Sequence, residues 1–140
     1  MWQRNADAAL VTEIHDLLYR LGVRATHQGF LETSCAVFLV MRQRGALWFS
    51  IMDVYRQVSE LYHMDLDVIA PRIRVVIRRI WRDHRAELNG LTEEALETIP
   101  TTRQFIEILC AYLYKRRPYQ ISVRKSKQCK ASARNRAEQR

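Results

Sequence analysis

The sequence predicts an all-α fold: a six-helix domain containing a helix-turn-helix, followed by a basic, disordered tail. Three observations lead there. Apolar residues recur at three-and-four spacing through nearly every segment between residues 7 and 115. No period-two alternation of strand length and no internal repeat interrupts them. Beyond that, the chain turns polar and strongly basic, a composition that cannot bury enough apolar surface to order itself. The expected boundaries are therefore 7–115 for the domain and 116–140 for the tail.

The first expected helix runs from about Asp7 to Leu21, with Leu10, Ile14, Leu17, Leu18 and Leu21 as its stripe, Asp7 as N-cap and Gly22 as stop. After Val23-Arg24-Ala25-Thr26, a second helix spans about Gln28 to Gln43. Its residues Phe30, Leu31, Ala36, Val37, Phe38, Val40 and Met41 make it the expected centre of the core. A third, near Phe49 to Leu61, carries Ile51, Met52, Val54, Tyr55, Val58 and Leu61. The segment His63-Met64-Asp65-Leu66-Asp67 reads as a turn.

The next helix is arginine-rich and covers Arg72 to Arg85. Pro71 is expected in or just before its first turn, because an interior proline costs about 3 kcal/mol. Asn89-Gly90 breaks the chain, and Leu91 to Leu96 reads as a short acidic helix. Finally, Thr101 as N-cap and Gln104 three residues on form a capping box that starts a helix to about Lys115. Its core residues are Phe105, Ile106, Leu109, Tyr112 and Leu113.

Bulk properties narrow the function. A chain of 140 residues supplies one core, and 48% hydrophobic with 27% charged residues describes a folded protein. No run approaches the roughly eighteen apolar residues of a membrane span, and the N-terminus lacks the apolar centre of a signal peptide, so neither insertion nor export is expected. Cys35, Cys110 and Cys129 are odd in number and widely spaced; the first two lie in apolar helical runs and read as buried free thiols of a reducing compartment. His15, His27, His63 and His84 show no metal-ligand spacing, so no metal is expected. There is no phosphate-binding glycine loop, nucleophile elbow or H-E-x-x-H. The acids Glu93, Glu94 and Glu97 suit a solvated surface. No enzyme, cofactor or small-molecule substrate is indicated.

Charge points elsewhere. Residues 115–140 hold ten Lys or Arg against one acid, whereas residues 1–114 hold thirteen against fourteen. The net charge of +8 thus belongs to the tail. Within the near-neutral body, six basic residues gather between Arg72 and Arg85. At about 100° per residue, Ile73, Val76, Ile77 and Ile80 share one face, with Trp81 at its border. Arg74, Arg78, Arg82 and Arg85 share another, flanked by Arg72 and Arg79. Many solvated helices are built this way, and so are DNA-reading helices. Position separates the two: a helix, a tight turn and then a helix with a polar outer face is the helix-turn-helix order. Arg72, Arg74, Arg78, Arg79 and Arg82 are the candidates for contacts to double-stranded DNA, because a guanidinium fork grips guanine O6 and N7 or a phosphate with two hydrogen bonds. In the tail, Lys115, Arg116, Arg117, Arg124, Lys125 and Lys127 are candidates for phosphate contacts without sequence preference, or else solubilise the chain.

Motifs spread along the chain resemble a known family. Leu21-Gly22-Val23-x-Ala25 followed by Gly29-Phe30-Leu31 resembles I-G-V-x-A…G-Y-L in the DNA-binding effector domain of the stage-zero sporulation initiation response regulator of endospore-forming bacteria. Val54-Tyr55-x-x-Val58-Ser59 with Tyr62 resembles its L-Y-P-x-I-A…F, and Pro100-Thr101-Thr102-x-Gln104-Phe105-Ile106 resembles its P-T-N-x-E-F-I. The three lie in the family's order over roughly residues 10 to 114.

The resemblance implies a six-helix transcription factor with its recognition helix in the major groove, bound as tandem or paired copies, homodimers included. The free thiols and the missing export signal point to the cytoplasm, and a DNA-binding role there to the nucleoid. The family pattern in that helix, V-E-R-x-I-R-H, is rewritten here. Without gaps it falls on Ile69 to Val75 and matches only its second Arg, by Arg74; shifted by four residues, it matches that Arg by Arg78. Neither register keeps the Glu and first Arg that reach bases, so the family's target sequence is not carried over. A chain of this length is also not expected to hold the family's phosphoacceptor receiver domain. The rewritten face leaves open an alternative: a protein-interaction module, or a non-specific architectural DNA binder, that kept the fold and lost the base readout.

Overall fold

The computed structural model describes residues 5–43 and 49–116. Among them are six helices and no strand: α1 (Asn5–Arg20), α2 (Phe30–Arg42), α3 (Ile51–Tyr62), α4 (Leu66–Asp83), α5 (Arg85–Asn89) and α6 (Thr102–Lys115). The all-α fold expected from periodicity is the fold observed. A disordered tail was expected over residues of which only Arg116 is described.

Helix α2 is the hub. It packs against α1, α3 and α4, and α3 and α4 pack against each other. Its sequence suits that place, because from Thr33 to Met41 every residue is buried. A helix apolar nearly all round has no solvent face and must be enclosed. Ile14 and Leu18 of α1, Leu21 just after it, and Ile69, Ile73, Ile77 and Ile80 of α4 are enclosed with its Phe30 and Phe38. Asp7, read as a cap from sequence, lies instead in the first turn of α1 and receives Arg42 Nη1 at 3.3 Å, tying the far ends of α1 and α2. Cys35 and Cys110 are buried free thiols, as expected. Burial, aided by Glu32, pushes Cys35 up to about 11; burial, aided by Glu107, pushes Cys110 up to about 12. Neither is a nucleophile near neutral pH.

Two glycines let the helices close on one another. Gly22, at φ 89° after α1, lies under the His84 ring, which a Cβ there would meet at 2.2 Å. Gly29, at φ 92°, is the N-cap of α2 and rests against the backbone of α4 at Arg72.

Two expectations are corrected. Helix α4 begins at Leu66, so Pro71 lies inside it, beyond the first turn. The position tolerates proline because Pro71 is on the exposed side of the helix. The donor it lacks would serve the carbonyl of Asp67, which is on the same exposed side and open to water. Second, Leu91–Leu96 is not helical. Asn89 Oδ1 accepts from Leu96 N at 2.8 Å, while Thr92 Oγ1 donates to Asn89 O at 3.0 Å and Glu94 O at 2.7 Å. Side-chain hydrogen bonds thus close a loop that competes with helix. The sixth helix is the short α5, split from α4 at His84, whose N–H still bonds Ile80 O at 2.7 Å.

The chain divides into two compact units between Cys110 and Ala111. In the first, α6 starts on the predicted capping box: Gln104 N donates to Thr101 Oγ1 at 3.1 Å and Thr101 N to Gln104 Oε1 at 2.9 Å. Arg103 lies over the Phe49 ring at 4.3 Å. Thr101→Ala, at an exposed position, is expected to cost about 1 kcal/mol in urea unfolding, the weight of one N-cap. In the second unit, Arg116 Nη1 meets Tyr112 OH at 3.3 Å.

Candidate nucleic-acid interface

Helices α3 and α4 and the turn between them form a helix-turn-helix. Ser50 caps α3 by accepting from Asp53 N at 3.2 Å. At its other end His63 adopts φ 54° and ψ 48°, a left-handed conformation that reverses the chain. Met64 N–H returns to Ser59 O at 3.0 Å, and the Ser59 hydroxyl donates to Met64 O. Residue 59 therefore closes the turn twice, and only His63, Met64 and Asp65 separate the helices. Val54, Tyr55 and Val58 bury the inner side of α3.

Helix α4 divides by face. Ile69, Ile73, Val76, Ile77 and Ile80 are buried, whereas Asp67, Pro71, Arg74, Val75, Arg78 and Arg82 are exposed. At about 100° per residue, those six form one continuous outer stripe. Arg72 and Arg79 are half-buried along one edge, and Ala70 and Trp81 along the other. Here the five predicted arginines separate.

Arg74 and Arg78 stand in the stripe and make no hydrogen bond or ion pair among the described residues. Arg82 is also exposed, but it grips its neighbour Asp83 with two hydrogen bonds, Nε to Oδ1 at 2.9 Å and Nη2 to Oδ2 at 2.8 Å. That bond holds the Asp83 carboxyl below its ordinary range and raises the guanidinium. Arg79 adds to the field on Asp83 from the edge.

Arg72 is different in kind. Its Nη1 lies 3.3 Å from Oε2 of Glu32 on α2, a carboxylate whose side chain is only 8% exposed. Burying a carboxylate is costly unless a cation meets it, so Arg72 is committed to holding α4 on α2. Spacing within α4 cannot reveal this, because the partner lies 40 residues away. Sequence reasoning also missed Asp67, Pro71 and Val75 as members of the outer face. Starting the helix at Leu66 would have placed them.

Arg85, beyond the break at His84, turns back over the Trp81 ring at 4.0 Å and bonds Trp81 O at 3.4 Å. Trp81 is thereby half-covered at the border of the core. Of the tail candidates, Lys115 and Arg116 are exposed, while Arg117, Arg124, Lys125 and Lys127 lie outside the described residues. No helix among the described residues is long and apolar enough to cross a membrane.

No curated protein and no solved structure matches the chain. The family described as the C terminal of the sporulation initiation factor Spo0A matches residues 14–113, from the buried Ile14 of α1 through the whole helix-turn-helix and into α6. That match covers most of the sequence, and the chain belongs to this family of DNA-binding effector domains, which is not a family of enzymes.

Proposed function

We propose that the chain is a sequence-specific transcriptional regulator that lays the outer stripe of α4 in the major groove of double-stranded DNA. The observation that carries the reading is the state of Arg74 and Arg78. Both are exposed, and neither is engaged by another group among the described residues, on the second helix of a helix-turn-helix. A base edge or phosphate supplies the acceptors that the protein does not.

In this proposal Arg74 and Arg78 read bases, Arg79 at the edge and Arg82 at the C-terminal end of the stripe hold phosphates, and Arg72 orients the helix. Residues 7–115 act as the DNA-binding unit. Residues 116–140 act as an arm in which Arg116, Arg117, Arg124, Lys125 and Lys127, together with Lys115 at the end of α6, add phosphate contacts common to all sequences. Two copies bind paired half-sites as a homodimer on DNA, at the nucleoid and in the cytoplasm.

Selection from random-sequence duplex DNA with the purified full chain, at fixed salt, tests the reading. An enriched motif is the expected result. Binding that is salt-sensitive but blind to sequence would overturn it in favour of an architectural role. No DNA binding at all would favour an interaction module, the use to which a rewritten recognition face lends itself.

A further inference from the structure

Besides Pro71, one residue on the outer stripe of α4 carries no charge. Val75 is 37% exposed, one turn before Arg78 and one turn after Pro71, at the margin of a face otherwise made of Asp67, Pro71, Arg74, Arg78 and Arg82. A β-branched side chain on the outside of a helix is a poorer helix former than the arginines beside it, and it leaves its methyl groups in water. Nor does it serve the core, whose α4 side is filled by Ile69, Ile73, Val76, Ile77 and Ile80.

We propose that Val75 reads the C5-methyl group of a thymine in the major groove, and so fixes a T beside the guanines gripped by Arg74 and Arg78. The inference rests on the reading of α4 as the recognition helix. Thymine alone among the four bases presents an apolar group in that groove, and an aliphatic side chain against it removes both from water. The spacing suits the step. Arg78 is three residues beyond Val75, about 4.5 Å along the axis, against about 3.4 Å per base along a strand. The thymine therefore falls within one or two base pairs of the guanine, inside the reach of a long arginine. With an arginine in its place, the same position would seek another guanine or phosphate; an isopropyl group excludes that choice.

The test uses the full chain and the duplex recovered by selection, with each thymine replaced in turn by deoxyuridine. The replacement removes the methyl group and leaves the pairing and hydrogen-bonding edges unchanged. At one thymine the wild-type protein is expected to lose affinity about fourfold, the weight of one buried methyl group. Val75→Ala, weaker on the unmodified site, is expected to lose less than about twofold on the same replacement. Because Val75 is exposed, circular dichroism and thermal melting of the variant should match the wild type.

Uracil tolerated at every position by the wild type would overturn the assignment and leave the DNA reading standing. An equal loss in Val75→Ala would do the same. Failure of the selection to yield any site would instead remove the reading itself, and this inference with it.

Discussion

Replacing Arg74 and Arg78 together by alanine is expected to lower affinity for the selected site about 100-fold or more, since one base-reading arginine is worth about 1–3 kcal/mol. The folded state should be indifferent. Both side chains are exposed and make no hydrogen bond or ion pair among the described residues, so their loss leaves no buried group unpaired. Fluorescence anisotropy on the selected duplex and on a scrambled one, each over a range of salt, separates the possible roles. Base readers lose preference for the site and leave the scrambled duplex nearly unaffected. Phosphate holders weaken both duplexes alike and reduce the log–log salt slope by about 0.9 for each contact removed.

Arg82→Ala should have a smaller effect, because its guanidinium is already shared with Asp83. Arg72→Ala should behave unlike either, lowering stability along with binding, because it strands the Glu32 carboxylate. Unchanged affinity in the double variant would show that the recognition surface lies elsewhere.

How far these residues were legible in the sequence depended on the range of the interaction. The buried stripe of α4 repeats at helical spacing, so Ile73, Val76, Ile77 and Ile80 are found by counting, and Arg74, Arg78 and Arg82 follow as its complement. The capping box at Thr101 is equally local and equally visible. Pro71 misled because its ordinary meaning is a boundary; only burial reveals that its missing donor faces water. The acids around Glu93 misled for the opposite reason. They favour helix individually, but Asn89 and Thr92 offer the backbone better-placed partners. The pair between Arg72 and Glu32 was out of reach altogether. In sequence, Arg72 is one more arginine in a basic run; the fold alone brings it to α2.

Gly29→Ala is expected to be the most damaging single change outside the apolar core. Gly29 combines a left-handed backbone, φ 92°, with a seat directly on α4. An added Cβ would lie 2.3 Å from the carbonyl oxygen of Arg72 and 2.8 Å from Cγ2 of Val76. The nearer obstacle is backbone and cannot turn aside as a side-chain tip can. A left-handed residue costs about 1–2 kcal/mol once it carries a Cβ, and forcing extra atoms into a packed contact costs about 1–3 kcal/mol. A loss of about 3 kcal/mol is expected by urea unfolding, with a fall in Tm on the order of 10 °C.

Binding should suffer even at temperatures where the variant remains folded. The contact that must open is the one that seats α4 at Arg72, beside the ion pair with Glu32 and half a turn before Arg74. Gly90→Ala is the control: at φ −66° and ψ −14° the position is right-handed, the nearest approach is 3.3 Å, and both stability and affinity should stay close to wild type. A Gly29→Ala protein with wild-type stability would mean that α2 does not rest on α4 as described. One that loses stability yet keeps full affinity when folded would mean that the seat at Arg72 does not set how α4 meets DNA.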